Sequence, residues 1–237
     1  MLNFQLKLTR MKICKIYKKY KTMPKLQLHM FKVAGVALMI CENIKKPINK
    51  DLVVSTCLIH DIGNVVKFDF QSKYFPDSWF APQGRGYWKK IKREFIKKYG
   101  SKDYLANYLI AKELKIPQDG LKIIKSMKLR NMIKIYKSNN FNLKICEYSD
   151  LRVKPNGVCS LKERLDEGFS RYNLNHKLKS EKMKTLVRYI YKLEKQIFKY
   201  CKIKPEDITE NKIKSYLNQL KNFEVKTQAT NGQAQEK

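Results

Sequence analysis

The chain has 237 residues, 43% of them apolar, and carries 51 Lys and Arg against 21 Asp and Glu, for a formal charge of +30. This length buries one sizeable core with at most a small accessory lobe, and the longest apolar run, Val33 to Cys41, falls well short of the roughly 20 residues a membrane span requires. The six cysteines, at 14, 41, 57, 146, 159 and 201, form no C-x-x-C pair, which excludes zinc fingers and a disulfide scaffold and fits a reduced, cytoplasmic protein.

In chain order, residues 1–22 are basic with scattered apolar positions and read as an outer helix or a loosely held leader, without the apolar core of a signal peptide. Pro24 suits a first helical turn, and Leu28, Val33, Val36, Ala37, Ile40 and Ile44 predict a helix to about Asn43 that carries His29 on its buried face. A turn around Pro47 follows, with Asn49 as N-cap of a helix on which Val53, Cys57 and His60 share one stripe. His60 is followed at once by Asp61, and Gly63 marks the helix end. Phe68 to Gly86 is aromatic, broken by Pro76, Pro82, Gly84 and Gly86, and reads either as a flap beside a pocket or as a loop with its rings tucked into the core. Helices are predicted at Tyr87 to Tyr99, Asp103 to Leu114 and, in one or two short pieces, Leu121 to Tyr136. In the segment Phe141 to Val153, Leu143, Cys146, Asp150 and Val153 fall at i, i+3, i+7 and i+10, so a carboxylate stands in an apolar stripe before Pro155-Asn156-Gly157 ends the helix. Ser160 and Glu163 form a capping box opening a helix through Tyr172. A longer helix spans Lys179 to about Lys202, a final short one starts at Pro205 and ends near Phe223, and residues 224–237 are read as a disordered tail. The class is all-α.

Three helices thus place ionisable residues among apolar neighbours: His29, the His60-Asp61 doublet and Asp150. A bare buried carboxylate is costly and must find a cation, donors or a proton. Two imidazoles and two carboxylates make four ligands, enough for one divalent ion with positions open for water and substrate. The alternative is three buried polar residues, each satisfied by its own surroundings.

The order His29, His60-Asp61 within LIHDIGN, and Asp150 within EYSDLRV resembles the HD superfamily of metal-dependent phosphohydrolases. The flanking segments PKLQLHMFKVAGVA, HDIGNVVKFDF and SDLRVKPNGVCSLKERL are similar to those of bacterial HD-domain proteins, and the likeness covers roughly residues 24–175. It implies a helical bundle with five core helices around a metal site at 23–175, preceded by the basic extension 1–22 and followed by accessory helices at 176–223. It also implies hydrolysis of a phosphate ester. Two departures stand out. Many relatives carry Lys directly after HDIG, where this chain has Asn64, with Lys67 one turn on as a stand-in; and dinuclear members carry further His ligands on a helix where this chain has Asp103 and Tyr104. No His lies between 60 and 176, which excludes a second metal held by imidazoles from that segment. His176 lies in a polar stretch and reads as a surface residue.

The expected mechanism uses one Mn²⁺, Mg²⁺ or other divalent ion on His29, His60, Asp61 and Asp150, with Asp61 orienting the attacking water and Lys67 and Arg152 as phosphate clamps. The expected ligand is a phosphorylated small molecule, a nucleotide above others, drawn in by the cationic surface. One rival is a catalytically silent HD domain that binds a nucleotide or a protein partner. The other is a lysine-rich nucleic-acid-binding protein. It is the weaker reading because the charge is spread end to end, is mostly Lys rather than the phosphate-forking Arg, and comes with the Ile, Asn and Tyr that AT-rich codon usage produces. No membrane partner is expected, and oligomeric state is not legible.

Overall fold

A computed structural model describes residues 8–72, 74–171 and 180–228. The expectation for His176 lies outside the described residues. The chain enters as strand β1 (Leu8–Lys12) and turns into helix α1 (Ile13–Lys19). Ile13, Ile16 and Tyr17 are buried there, and the Tyr17 hydroxyl donates to the Leu58 carbonyl at 2.7 Å. This part of the basic leader is therefore pinned to the core.

Helix α2 (Pro24–Asn43) starts on its proline, whose missing N–H costs nothing in a first turn. Val33, Val36, Ala37 and Ile40 are buried as their spacing predicts, but Leu28 is 41% exposed. The buried row runs instead through Leu26 and Met30, which lie four and three residues from their neighbours on that face; Leu28, five before Val33, points elsewhere. Ile44 lies past the helix end in extended backbone and bridges to Cys201. Asn49 caps α3 (Lys50–Ile59) by accepting from the Leu52 N–H at 3.0 Å, and every residue from Val53 to Ile59 is buried.

Beyond a 3-10 turn at Asn64–Lys67 and the aromatic segment come α4 (Gly84–Tyr99), α5 (Asp103–Glu113), α6 (Gln118–Ser126), α7 (Met132–Lys137) and α8 (Phe141–Asp150). Of Pro155 to Gly157, expected only to stop α8, Pro155 and Asn156 instead form the turn of a small hairpin between β2 (Val153–Lys154) and β3 (Gly157–Val158). Helix α9 (Leu161–Arg171) opens on the predicted capping box: the Ser160 N–H donates to Glu163 Oε2 at 2.8 Å and the Glu163 N–H to Ser160 Oγ at 3.2 Å. Helices α10 (Glu181–Phe198) and α11 (Lys214–Leu220) follow, and the described chain ends in β4 (Glu224–Gln228).

The architecture is all-α with two small antiparallel sheets. Helices α2, α3 and α8 pack on one another at its centre, α11 lies against α2, α6 against α3 and α5, and α10 against α7 and α8. The tail expected to be disordered from Glu224 begins instead as a strand, pairing with β1 in the register Leu8 to Gln228 through Lys12 to Glu224. Val225 and Thr227 are buried, and Thr9 and Thr227 share a hydroxyl hydrogen bond of 2.7 Å. Five residues of alternation are a weak signal, and the partner strand is 218 residues away in sequence, so nothing local announces the pairing. Among the described residues no helix is long and apolar enough to cross a membrane.

Candidate metal centre

His29 projects from α2, His60 caps the C-terminus of α3 with helical backbone angles, Asp61 begins the following turn, and Asp150 is the last residue of α8. Because those three helices pack on one another, their polar positions meet. His29 Nε2 stands 3.1 Å from Asp150 Oδ1 and 3.7 Å from Asp61 Oδ2, and His60 Nε2 stands 3.4 and 3.7 Å from the same two oxygens. The two imidazole rings are 5.5 Å apart. Ligand atoms of His29, His60 and Asp150 all lie within 4.8 Å of one another, as a metal ion requires.

The His60 tautomer follows from its other nitrogen. Nδ1 lies 2.8 Å from the Cys57 carbonyl, one turn back, and must donate to it, so Nε2 is the nitrogen that faces the carboxylates and holds either a proton or, with its lone pair, a cation. That buried Nε2 has no hydrogen-bond partner of acceptable geometry among the described residues. Lone pairs on imidazole nitrogens and carboxylate oxygens converging at these distances repel unless a proton or a cation stands among them. Burial opposes charge on His60, yet the adjacent Asp61 and Asp150 carboxylates push its pKa up to about 10. Burial likewise opposes ionisation of Asp150, but His29 and His60 hold it well below the usual carboxylate range. The cluster calls for positive charge at its centre, and the N,N,O donor set of His29, His60 and Asp150, with one backbone-oriented histidine, fits a divalent ion.

The cluster opens into a cavity of about 460 Å³. Asn64, which replaces the Lys expected after HDIG, is 1% exposed and accepts from Asn107 Nδ2 at 3.0 Å; Asn107 Oδ1 in turn accepts from the Gly63 N–H at 2.7 Å. This pair ties the turn carrying Asp61 to α5. A Cβ on Gly63 would come within 2.9 Å of Ala106 Cβ, so glycine is needed for the approach of α5. Lys67 does line the cavity, with its Nζ 3.1 Å from Asp103 Oδ2. Burial works against the Asp103 carboxylate, but Lys67 prevails and lowers its pKa.

Arg152 is a correction. Its guanidinium is buried and donates to the Cys159, Pro205 and Ile208 carbonyls at 2.6, 3.1 and 3.1 Å and to the Tyr148 hydroxyl at 2.6 Å. It does not line the cavity and has no donor to offer a phosphate; its work is to anchor the chain around Pro205 to α8. Both readings of the aromatic segment hold at once: Phe70 and Phe80 are core residues, while Phe68, Phe75 and Trp79 form one wall of the cavity. Sequence reasoning passed over Asn107, although a polar residue four positions after Asp103 on the inner side of α5 was a usable signal. It also passed over Lys128 and Arg130, which line the cavity too; there a polar turn of a Lys-rich chain gives no signal.

No curated protein and no solved structure matches the chain. Comparison with protein-family models matches residues 27–195 to the HD domain, a span that begins just before His29, contains all four clustered residues and continues into α10. With the matched span covering most of its length and the His, His-Asp and Asp positions meeting in space, the chain belongs to the HD domain family.

Proposed function

We propose that the protein is a metal-dependent phosphohydrolase that holds one divalent ion on His29, His60, Asp61 and Asp150 and cleaves a phosphate ester, with a nucleotide as the favoured substrate. The observation that carries this reading is the buried His60 Nε2, which lacks a well-formed hydrogen bond and faces two carboxylates among the residues lining an open cavity. A divalent cation bound there would acidify a water and offset charge on a phosphoryl oxygen. His60 is kept in the ligating tautomer by the Cys57 carbonyl. Asp61 is suited to orient the attacking water, its turn being held by the Asn64 N–H that donates to the Asp61 carbonyl at 3.0 Å and by the Gly63 N–H that donates to Asn107. Lys67 stands at the cavity wall as a phosphate contact, its charge tempered by Asp103. Phe68, Phe75 and Trp79 offer aromatic faces to a base.

One observation favours a second reading, an HD domain that binds a nucleotide without hydrolysing it: Asn64 is committed to Asn107 and brings no cation to the position after Gly63. Elemental analysis of the purified protein beside a hydrolysis screen of nucleotides and generic phosphate esters separates the two. The hydrolytic reading expects one Mn²⁺, Mg²⁺ or similar ion per chain and turnover of at least one ester, with Asp61→Ala losing both. An Asp61→Ala variant that keeps its rate would sink it.

A further inference from the structure

Among the described residues six Lys and Arg side chains line the cavity, and they fall into two kinds. Lys67 is paired with Asp103, and Arg164 and Arg171 both reach Glu167, at 3.2 and 2.9 Å. Lys25, Lys128 and Arg130 have no carboxylate within ion-pair distance among the described residues. Lys25 stands alone over the Trp79 ring at 5.4 Å. Lys128 and Arg130, from the turn between α6 and α7, share one ring: Lys128 Nζ is 3.8 Å and the Arg130 guanidinium carbon 5.5 Å from the centre of Tyr104.

Two cations gathered at one aromatic ring repel each other, and the ring's quadrupole offsets only part of that cost. Burial, then the nearby Arg130 charge, lower the pKa of Lys128 against the opposing pull of Tyr104 and Asp103. The nearest carboxylate in sequence to Tyr104 is Asp103, which Lys67 already engages. Among the described residues, an anion arriving beside Tyr104 would therefore meet in Lys128 and Arg130 two cations with no carboxylate in ion-pair contact.

We propose that Lys128 and Arg130, held over Tyr104, form a second anion subsite, so that the substrate carries a further phosphate or equivalent anionic group beyond the phosphate ester presented to the metal cluster. This rests on the hydrolytic reading for the identity of the first subsite, but its test does not need turnover. Arg130 is exposed and Lys128 half-buried, so replacing both with Gln leaves the fold standing. Inorganic triphosphate and inorganic phosphate are titrated calorimetrically, at physiological ionic strength, into the wild type, Lys128→Gln/Arg130→Gln, and the charge-matched control Lys90→Gln/Lys97→Gln, whose exposed lysines on α4 lie outside the cavity.

The wild type should bind triphosphate at least about tenfold more tightly than phosphate, from two additional charge-assisted contacts. The cavity variant should lose most of that gap and the control should keep it. The proposal is overturned if the wild type shows no gap, if the cavity variant retains it, or if the control loses as much, which would mean the net charge alone is responsible. A wild type that keeps the gap while holding no metal and hydrolysing nothing would support this subsite and sink the hydrolytic reading.

Discussion

Helix α8 carries two polar clusters, and they are built on opposite terms. Behind the helix, Arg152 directs its donors to three carbonyls and the Tyr148 hydroxyl, and that hydroxyl donates to Glu194 Oε2 at 2.6 Å. At its end, Asp150 faces two imidazoles and a second carboxylate, one of those imidazole nitrogens lacking any hydrogen bond. The first cluster is complete without a ligand. The second is incomplete without positive charge. Buried polar groups left unsatisfied by the fold are where an outside partner can gain most, and here that distinction separates a staple from a site.

Breaking the staple should cost the most. Arg152→Ala strands its acceptors in a dry interior and should destabilise the fold by about 3–5 kcal/mol, seen as a large fall in the thermal midpoint in both metal-free and metal-loaded protein. A variant that melts like the wild type yet loses phosphate hydrolysis would invert the comparison.

Glu147 lies on α8 between the clusters, and burial, then the Asp150 charge, push its pKa from 4.5 up to about 8. The unfolded chain ionises this group above about pH 4.5 while the fold keeps it neutral, so its contribution to stability declines as pH rises to about 8 and is level beyond. Glu147→Gln should therefore be indistinguishable from the wild type below pH 4.5 and more stable by on the order of a few kcal/mol near pH 8.5. Denaturant melts across that range check it; a gap that is constant with pH would remove titration as the cause.

The incomplete cluster should respond to metal where the staple does not. A divalent ion at about 100 times its dissociation constant should stabilise the wild type by about 2.7 kcal/mol, and His60→Ala should abolish that gain. A gain that survives His60→Ala would place the ion elsewhere. Smallest in stability is Lys67→Ala: the pair with Asp103 is substantially exposed, so its loss should cost under about 1 kcal/mol, while turnover should fall by about tenfold if the lysine meets phosphate. Equal effects on folding and turnover would assign Lys67 to structure.

The candidate ligands were legible because each breaks a pattern: His29, His60 and Asp150 put ionisable groups on stripes otherwise made of Val, Leu, Ile and Cys, and a helix that buries such a face must give those groups a partner. Arg152 was misread for a related reason. It stands two residues beyond Asp150, and adjacency in sequence suggested a shared site, whereas positions two apart do not face the same way. Leu28 failed likewise, as an apolar residue out of phase with the row it was assigned to.

From the order of residues alone came the helices, several of their caps and the identity of four converging polar groups, because helical periodicity and capping are local and repeat within a turn or two. Only the folded chain decided that Arg152 is a staple, that Asn64 is spent on Asn107, that Glu224–Gln228 closes onto the N-terminal strand, and that Lys128 and Arg130 gather at the ring of Tyr104. Each of these depends on which distant segments touch, and a side chain's role as ligand, clamp or brace is set by the partners that packing leaves within its reach.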